Sequence, residues 1–237
     1  SGPRRIKAGA ARDHFLGFQA VSGRGEVFKS GGKVMKNVTG FDLSKLMAGS
    51  FGTLAVMTQV SVKVLPRPEK TRTVLLMGAD DPHAVAALCD ALGSSHEVAG
   101  AAHLPASVAQ RSAVGYVSGA GTAVTAVRVE GPGPSVEHRC TSLRDLFAPF
   151  GAVEELHSHN SAAFWREIRD AAPFTGDWQD HQVWRVSVPP TAGPTVGQHL
   201  RARLGGEVYY DWGGGLIWFA LDVRSDAGAA DIRRVIR

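Results

Sequence analysis

Cysteine is scarce in this sequence: Cys89 and Cys140 are the only two among 237 residues. Two widely spaced thiols make no disulfide framework and point to a reducing compartment. No apolar run approaches the length needed to cross a bilayer as a helix. Charge of one sign is also lacking, since the net charge is +4 with 20% charged residues. That excess is too small and too dispersed to predict a nucleic-acid partner, and it suits an anionic ligand or acidic partner better. The first residues, Ser1-Gly2-Pro3-Arg4-Arg5, have neither an initiator Met nor a signal-peptide core. We therefore expect the chain to start part-way through a longer protein.

What is present is an ordinary globular composition, 44% hydrophobic, with enough apolar surface to offset chain entropy. The length allows one large or two small domains. In the first third, residues 15–21 read as a strand, 22–25 as a turn and 26–29 as the returning strand. Asp42 is a good helix N-cap, because its short carboxylate reaches the free amides of the first turn. Leu43, Leu46 and Met47 then share a helical face, and Gly49 ends the helix. Residues 53–64 read as strand, and Pro66-Arg67-Pro68 forms a linker.

After Pro68 the pattern alternates. Strands are expected at 73–77, 98–104, 123–130, 153–156 and 183–188, with a hairpin of 207–212 and 216–221 around Gly213-Gly214-Gly215. Helices are expected at 82–92, 135–147, 162–171, 195–204 and from Asp226. This order predicts antiparallel α+β layers in two ferredoxin-like halves, with helices on one face. The aromatic set Trp165, Trp184, Tyr209, Trp212, Trp218 and Phe219 reads as mostly core. His157 and His159 would share a strand face, but no third metal ligand is evident, so no metal is expected. Gly119-Ala120-Gly121-Thr122 reads as a plain turn.

Two runs carry the chemistry: Lys36-Asn37-Val38-Thr39-Gly40-Phe41-Asp42-Leu43-Ser44-Lys45-Leu46, and Ala48-Gly49-Ser50-Phe51-Gly52-Thr53-Leu54-Ala55-Val56-Met57-Thr58. Small residues at 49, 50 and 52 let backbone approach a flat or charged ligand, with amides free to donate. The competing reading is a helix C-cap followed by a core strand. Residues 36–66 resemble flavoproteins of the vanillyl-alcohol oxidase, or p-cresol methylhydroxylase (PCMH), type. Within them they resemble the FAD-binding subunits of bacterial glycolate oxidases. The family run has Tyr, Glu and Gly where this chain has Phe41, Phe51 and Ala55; an aromatic residue at 51 is typical of that subunit. The runs 9–17, 165–170, 184–189 and 209–212 extend the resemblance over nearly the whole chain.

The resemblance implies a fold and a function. Residues 1–68 would be the second half of a PCMH-type FAD-binding domain, and 69–237 an α+β, ferredoxin-like cap. The cofactor would be FAD, held by Gly9, Arg12, Asp13, Thr39, Gly40, Gly49, Ser50, Gly52, Thr53, Leu54 and Val56. Arg169 would anchor a substrate carboxylate through its planar guanidinium, the competing reading being a surface pair with Asp170 or Glu167. His181 is a candidate base. The implied reaction oxidises glycolate or a similar small 2-hydroxy acid by hydride transfer to FAD. Implied partners are other glycolate oxidase subunits, a flavoprotein paralogue and an iron-sulfur subunit, in the cytoplasm or peripherally at the inner membrane. The proline- and glycine-rich pyrophosphate loop of the family is not found ahead of Gly9, nor the histidine–glycine–aspartate–glycine–asparagine run of its catalytic members. Two other readings stay open: a non-catalytic subunit scaffolding a catalytic paralogue, and a D-lactate dehydrogenase-type flavoenzyme.

Overall fold

The computed structural model describes residues 2–36, 40–175 and 181–236. The chain divides into two compact units, residues 8–67 and residues 2–7 with 68–237. The division after Arg67 falls in the Pro-rich linker. Residues 2–7 group with the second unit, although they precede the first in sequence.

The first unit follows a helical turn α1 (Arg5–Ala8) and contains α2 (Ala11–His14), β1 (Phe15–Ser22), β2 (Val27–Gly31), α3 (Leu43–Met47) and β3 (Ala55–Val62). Its antiparallel sheet has the order β2-β1-β3. Asp42 caps α3, its Oδ1 accepting the Lys45 amide at 3.2 Å. The core is small: Phe15, Phe18, Ala20, Met47 and Ala55, with Phe28 edge-on to Phe18 at 5.5 Å. By contrast Val56, Met57, Val60 and Val62 of β3 are exposed, so alternate positions on both faces of that strand lack cover.

The second unit runs β4 (Lys70–Met77), α4 (Asp81–Gly93), β5 (Gly100–Leu104), α5 (Ala106–Ala109), α6 (Gly115–Ser118), β6 (Val124–Gly131), α7 (Gly133–Phe147), β7 (Val153–Leu156), α8 (Ser158–Asp170), β8 (His181–Ser187), α9 (Gly193–Leu204), β9 (Glu207–Asp211), β10 (Leu216–Asp222) and α10 (Ala229–Ile236). Its antiparallel sheet is ordered β7-β4-β6-β5-β9-β10-β8. The first four strands have ferredoxin-like order. The run β8-α9-β9-β10-α10 repeats that pattern, giving the β9-β10-β8 side of the sheet.

Helices cover both faces of this sheet, which corrects the expectation of one. Val74, Leu76, Val127 and Val129 pack under α4 and α7, while Ile217, Phe219 and Leu221 pack under α9 and α10. The intervening strand residues Leu75, Ala102, Ala126 and Tyr209 point the other way, against Phe164, Trp165 and Ile168 of α8 and residues of α5 and α6. A sheet apolar at successive positions needs two covers, since each exposed Leu or Val would forfeit about 1.5–3 kcal/mol of burial. Among the described residues no helix is long and apolar enough to cross a membrane.

Candidate functional site

The turn between α3 and β3 is built from left-handed backbone. Gly49, Phe51 and Gly52 have φ of 89°, 53° and 76°. The Ser50 amide donates to Met47 and the Thr53 amide to Ser50, at 3.2 and 3.0 Å, and Thr53 Oγ1 donates to Ser50 O at 2.7 Å. These bonds tie down Ser50 and Thr53, on either side of Phe51 and Gly52. Among the described residues the amides of Phe51 and Gly52 have no acceptor. A Cβ placed on Gly49 or Gly52 would meet nothing within 4 Å. The turn therefore faces open space with free N–H donors, the arrangement that receives an anionic or carbonyl edge of a ligand. Phe51 carries its ring 98% exposed.

A cleft joins this turn to α2 and α3, lined by Arg12, Asp42, Lys45, Leu46, Ala48, Gly49, Ser50, Thr53 and Leu54. Lys45 organises it. Its ammonium donates to the carbonyls of Arg12 at 2.6 Å and Phe15 at 3.1 Å, fastening α3 to the start of β1. A second cleft shares Asp42 and Lys45 and is lined also by Asp13, Gly40, Phe41 and Lys63.

The fold thus gathers Arg12, Gly49, Ser50, Thr53 and Leu54 of the expected cofactor residues, with Gly52 in the same turn. Asp13 and Gly40 line the neighbouring cleft. Asp13 accepts the Ala10 amide at 2.7 Å, and Gly9, at φ 82°, sits against its carboxylate. Val56 is exposed on β3 and lines neither cleft. Thr39 lies outside the described residues. Sequence reasoning passed over Lys45, although it stands three residues after the Asp42 cap, on the turn of helix that faces β1.

Arg169 and His181 belong to the second unit. Arg169 is exposed and makes a bidentate pair with Asp170, both contacts at 2.7 Å. Glu167 is used by Ser112 and the Ala113 amide. His181 Nε2 stands 3.3 Å from Asp222 across the β8–β10 pairing. His157 and His159 are not on a strand: β7 ends at Leu156, His157 is the N-cap of α8 and His159 lies in its first turn. The described residues contain no group of three or more His, Cys, Asp or Glu placed to hold a metal.

Over its whole length the chain is similar to "Glycolate oxidase subunit GlcE" of Escherichia coli (strain K12), 33% identical over 238 residues, covering 100% of this chain and 56% of that protein. "Glycolate oxidase subunit GlcD" of Bacillus subtilis (strain 168) is 41% identical over 76 residues, 32% of this chain and 16% of its own length. Among solved structures, alkyldihydroxyacetonephosphate synthase superposes with TM-score 0.67 at 17% identity, covering 99% of this chain and 51% of that one. Substrate-bound p-cresol methylhydroxylase gives 0.61 at 11% identity, covering 94% and 53%. No family model matches. The chain spans about half the length of the GlcE relative.

Proposed function

We infer that this chain, related over its full length to a glycolate oxidase subunit and folded as PCMH-type flavoproteins are, is the FAD-holding and cap portion of a 2-hydroxyacid oxidoreductase subunit. The observation that carries the reading is the 49–54 turn: amides at Phe51 and Gly52 without an acceptor among the described residues, beside a cleft holding Arg12 and Lys45. Those residues fit a flat group with carbonyl acceptors and a partly anionic character, and FAD is one.

In this reading the Phe51 and Gly52 amides hold the polar edge of the cofactor. Leu54, which lines the cleft, keeps water from its apolar side. Arg12 sets a positive charge at the cleft mouth, and Lys45 fixes the distance between α3 and β1. FAD, when bound, supplies the two-electron acceptor for oxidation of glycolate or a similar 2-hydroxy acid. Arg169 and His181 are proposed as carboxylate anchor and base.

One observation favours a scaffolding role instead. Both candidate substrate groups already face carboxylates of this chain, Arg169 on Asp170 and His181 on Asp222. In that reading the subunit positions a catalytic GlcD-like paralogue, with an iron-sulfur subunit, in a cytoplasmic complex that can lie against the inner membrane. The test is flavin titration and hydroxyacid oxidation on the full-length protein with its partner subunits. Arg169→Lys with normal flavin and weaker substrate saturation assigns the anchor. Unchanged saturation assigns the arginine to its pair with Asp170.

A further inference from the structure

Residues 2–7 are strapped to the second unit by specific contacts. Arg4 reaches Glu130 through Nε and Nη2, at 3.0 and 2.6 Å. Lys7 pairs with Glu97 at 3.0 Å, and Pro3 is buried. The central contact is Trp212, whose indole N–H donates to the Gly2 carbonyl at 3.2 Å. Two guanidiniums stack on that ring, Arg5 from the strap at 4.8 Å and Arg185 from β8 at 4.9 Å.

Trp212 is held in an unfavourable backbone state, with φ 55° in a residue that is not glycine. Its amide donates to Asp211 Oδ1 at 2.7 Å. Asp211 is itself 1% exposed. Burial pushes its carboxyl up to about 7, against the opposing effects of the Trp212 amide and the Arg185 charge. Arg185 therefore serves two groups: it stacks on Trp212 and is the cation acting on Asp211, without forming an ion pair with it among the described residues.

Most other charged and titratable groups on the neighbouring elements are engaged elsewhere. His103 of β5 bonds Thr125 and Asp81, and Arg201 of α9 bonds Asp81. Tyr209, beside Asp211, donates to Ile168 O, and burial followed by the Asp211 charge raises its phenol. Asp90 of α4 is near Cys89, and His83 pairs with Asp80. At the end of α8, Arg169 pairs with Asp170 and lies against Gly2.

We propose that Asp211 and Trp212 form a pH-sensitive clasp for residues 2–7, closed while Asp211 is protonated and loosened when it ionises. An ionised Asp211 draws Arg185 and water toward itself, and both come at the expense of the Trp212 stack. The clasp is thus most secure below the ordinary carboxylate range and weakens as pH rises toward about 7.

The test is amide hydrogen exchange from pH 5 to 8, corrected for the intrinsic rate. The reporters are Arg5 and Lys7, whose amides bond Gly2 O and Arg4 O at 3.0 and 3.1 Å. Exchange should rise roughly tenfold per pH unit from pH 5 to about 6.5 and level off above 7. Amides of β6 report global opening and should not follow. Asp211→Asn should flatten the dependence. Arg5→Ala, an exposed substitution that leaves the core intact, should raise exchange at 5 and 7 while keeping the slope. A flat wild-type profile, or the same slope in Asp211→Asn, overturns the proposal. So does a rise that β6 shares in both wild type and Arg5→Ala.

Discussion

Tyr210 donates its phenolic hydrogen to Asp81 Oδ2 over 2.6 Å, joining β9 to the start of α4. His103 Nε2 stands 3.2 Å from the other carboxylate oxygen, and Arg201 donates to Oδ2 at 2.7 Å. Among the described residues His103↔Tyr210 is the one register pair between β5 and β9, the seam between the ferredoxin-like halves. Side-chain bonds thus close a seam where backbone pairing is sparse. Gly197 of α9 makes room for it, since a Cβ there would collide with the Tyr210 hydroxyl.

Asp81→Asn should therefore destabilise the second unit by about 1.5–3 kcal/mol, because it removes the charged acceptor shared by Tyr210, His103 and Arg201. Tyr210→Phe should cost about 1–3 kcal/mol. Chemical denaturation at neutral pH measures both.

The same carboxylate sets an acid limit. Burial raises the Asp81 carboxyl, but the hydrogen bonds from His103 and Tyr210 and the Arg201 charge outweigh it and bring it to about 2. A lowered folded value means the contribution is present above the ordinary carboxylate range and lost as pH falls through about 2. The stability gap between wild type and Asp81→Asn should shrink between about pH 4 and 2. A gap independent of pH would show that Asp81 is not titrating.

On the other face, Trp165 donates its indole hydrogen to Thr73 Oγ1 at 2.8 Å, and that oxygen lies 2.7 Å from Ser161 Oγ. Thr73→Val keeps the shape and strands two buried polar groups. Denaturation should report a loss of about 1–3 kcal/mol, with Thr73→Ser retaining most of the stability.

Gly52→Val should weaken FAD binding in the full-length protein by roughly ten- to hundredfold. A β-branched residue strains at φ 76°, and its methyls occupy the open side of the turn. Flavin titration tests this, and undiminished affinity would make the turn a packing element.

The uncovered β3 predicts self-association of this chain, since contiguous apolar surface drives pairing. Sedimentation should show dimers or larger species, and Val56→Lys with Val60→Glu should shift them toward monomer.

Local structure was largely legible in the residues. Asp42 reads as an N-cap and is one, and the three glycines at 213–215 mark the hairpin corner. Strand and helix periods gave the strands and the longer helices to within a few residues, because period and capping depend on neighbours in the chain, but not the four-residue helices α1, α2, α5 and α6, which are too short to show a period. The turn after α3 was likewise legible, since a glycine that ends a helix is a local signal.

Tertiary structure decided what joins distant residues. Nothing near Asp81 in sequence announces His103, Arg201 and Tyr210 as its partners. Nor does the order of the chain reveal that residues 2–7 belong with Trp212 rather than with the strand they precede. The second helical cover of the sheet was missed for a related reason: continuous apolar strands show that two faces are buried, but only packing selects which helices bury them. Propensity acts over a few residues, whereas a buried charge or indole must find its partner wherever the folded chain brings one within about 3 Å.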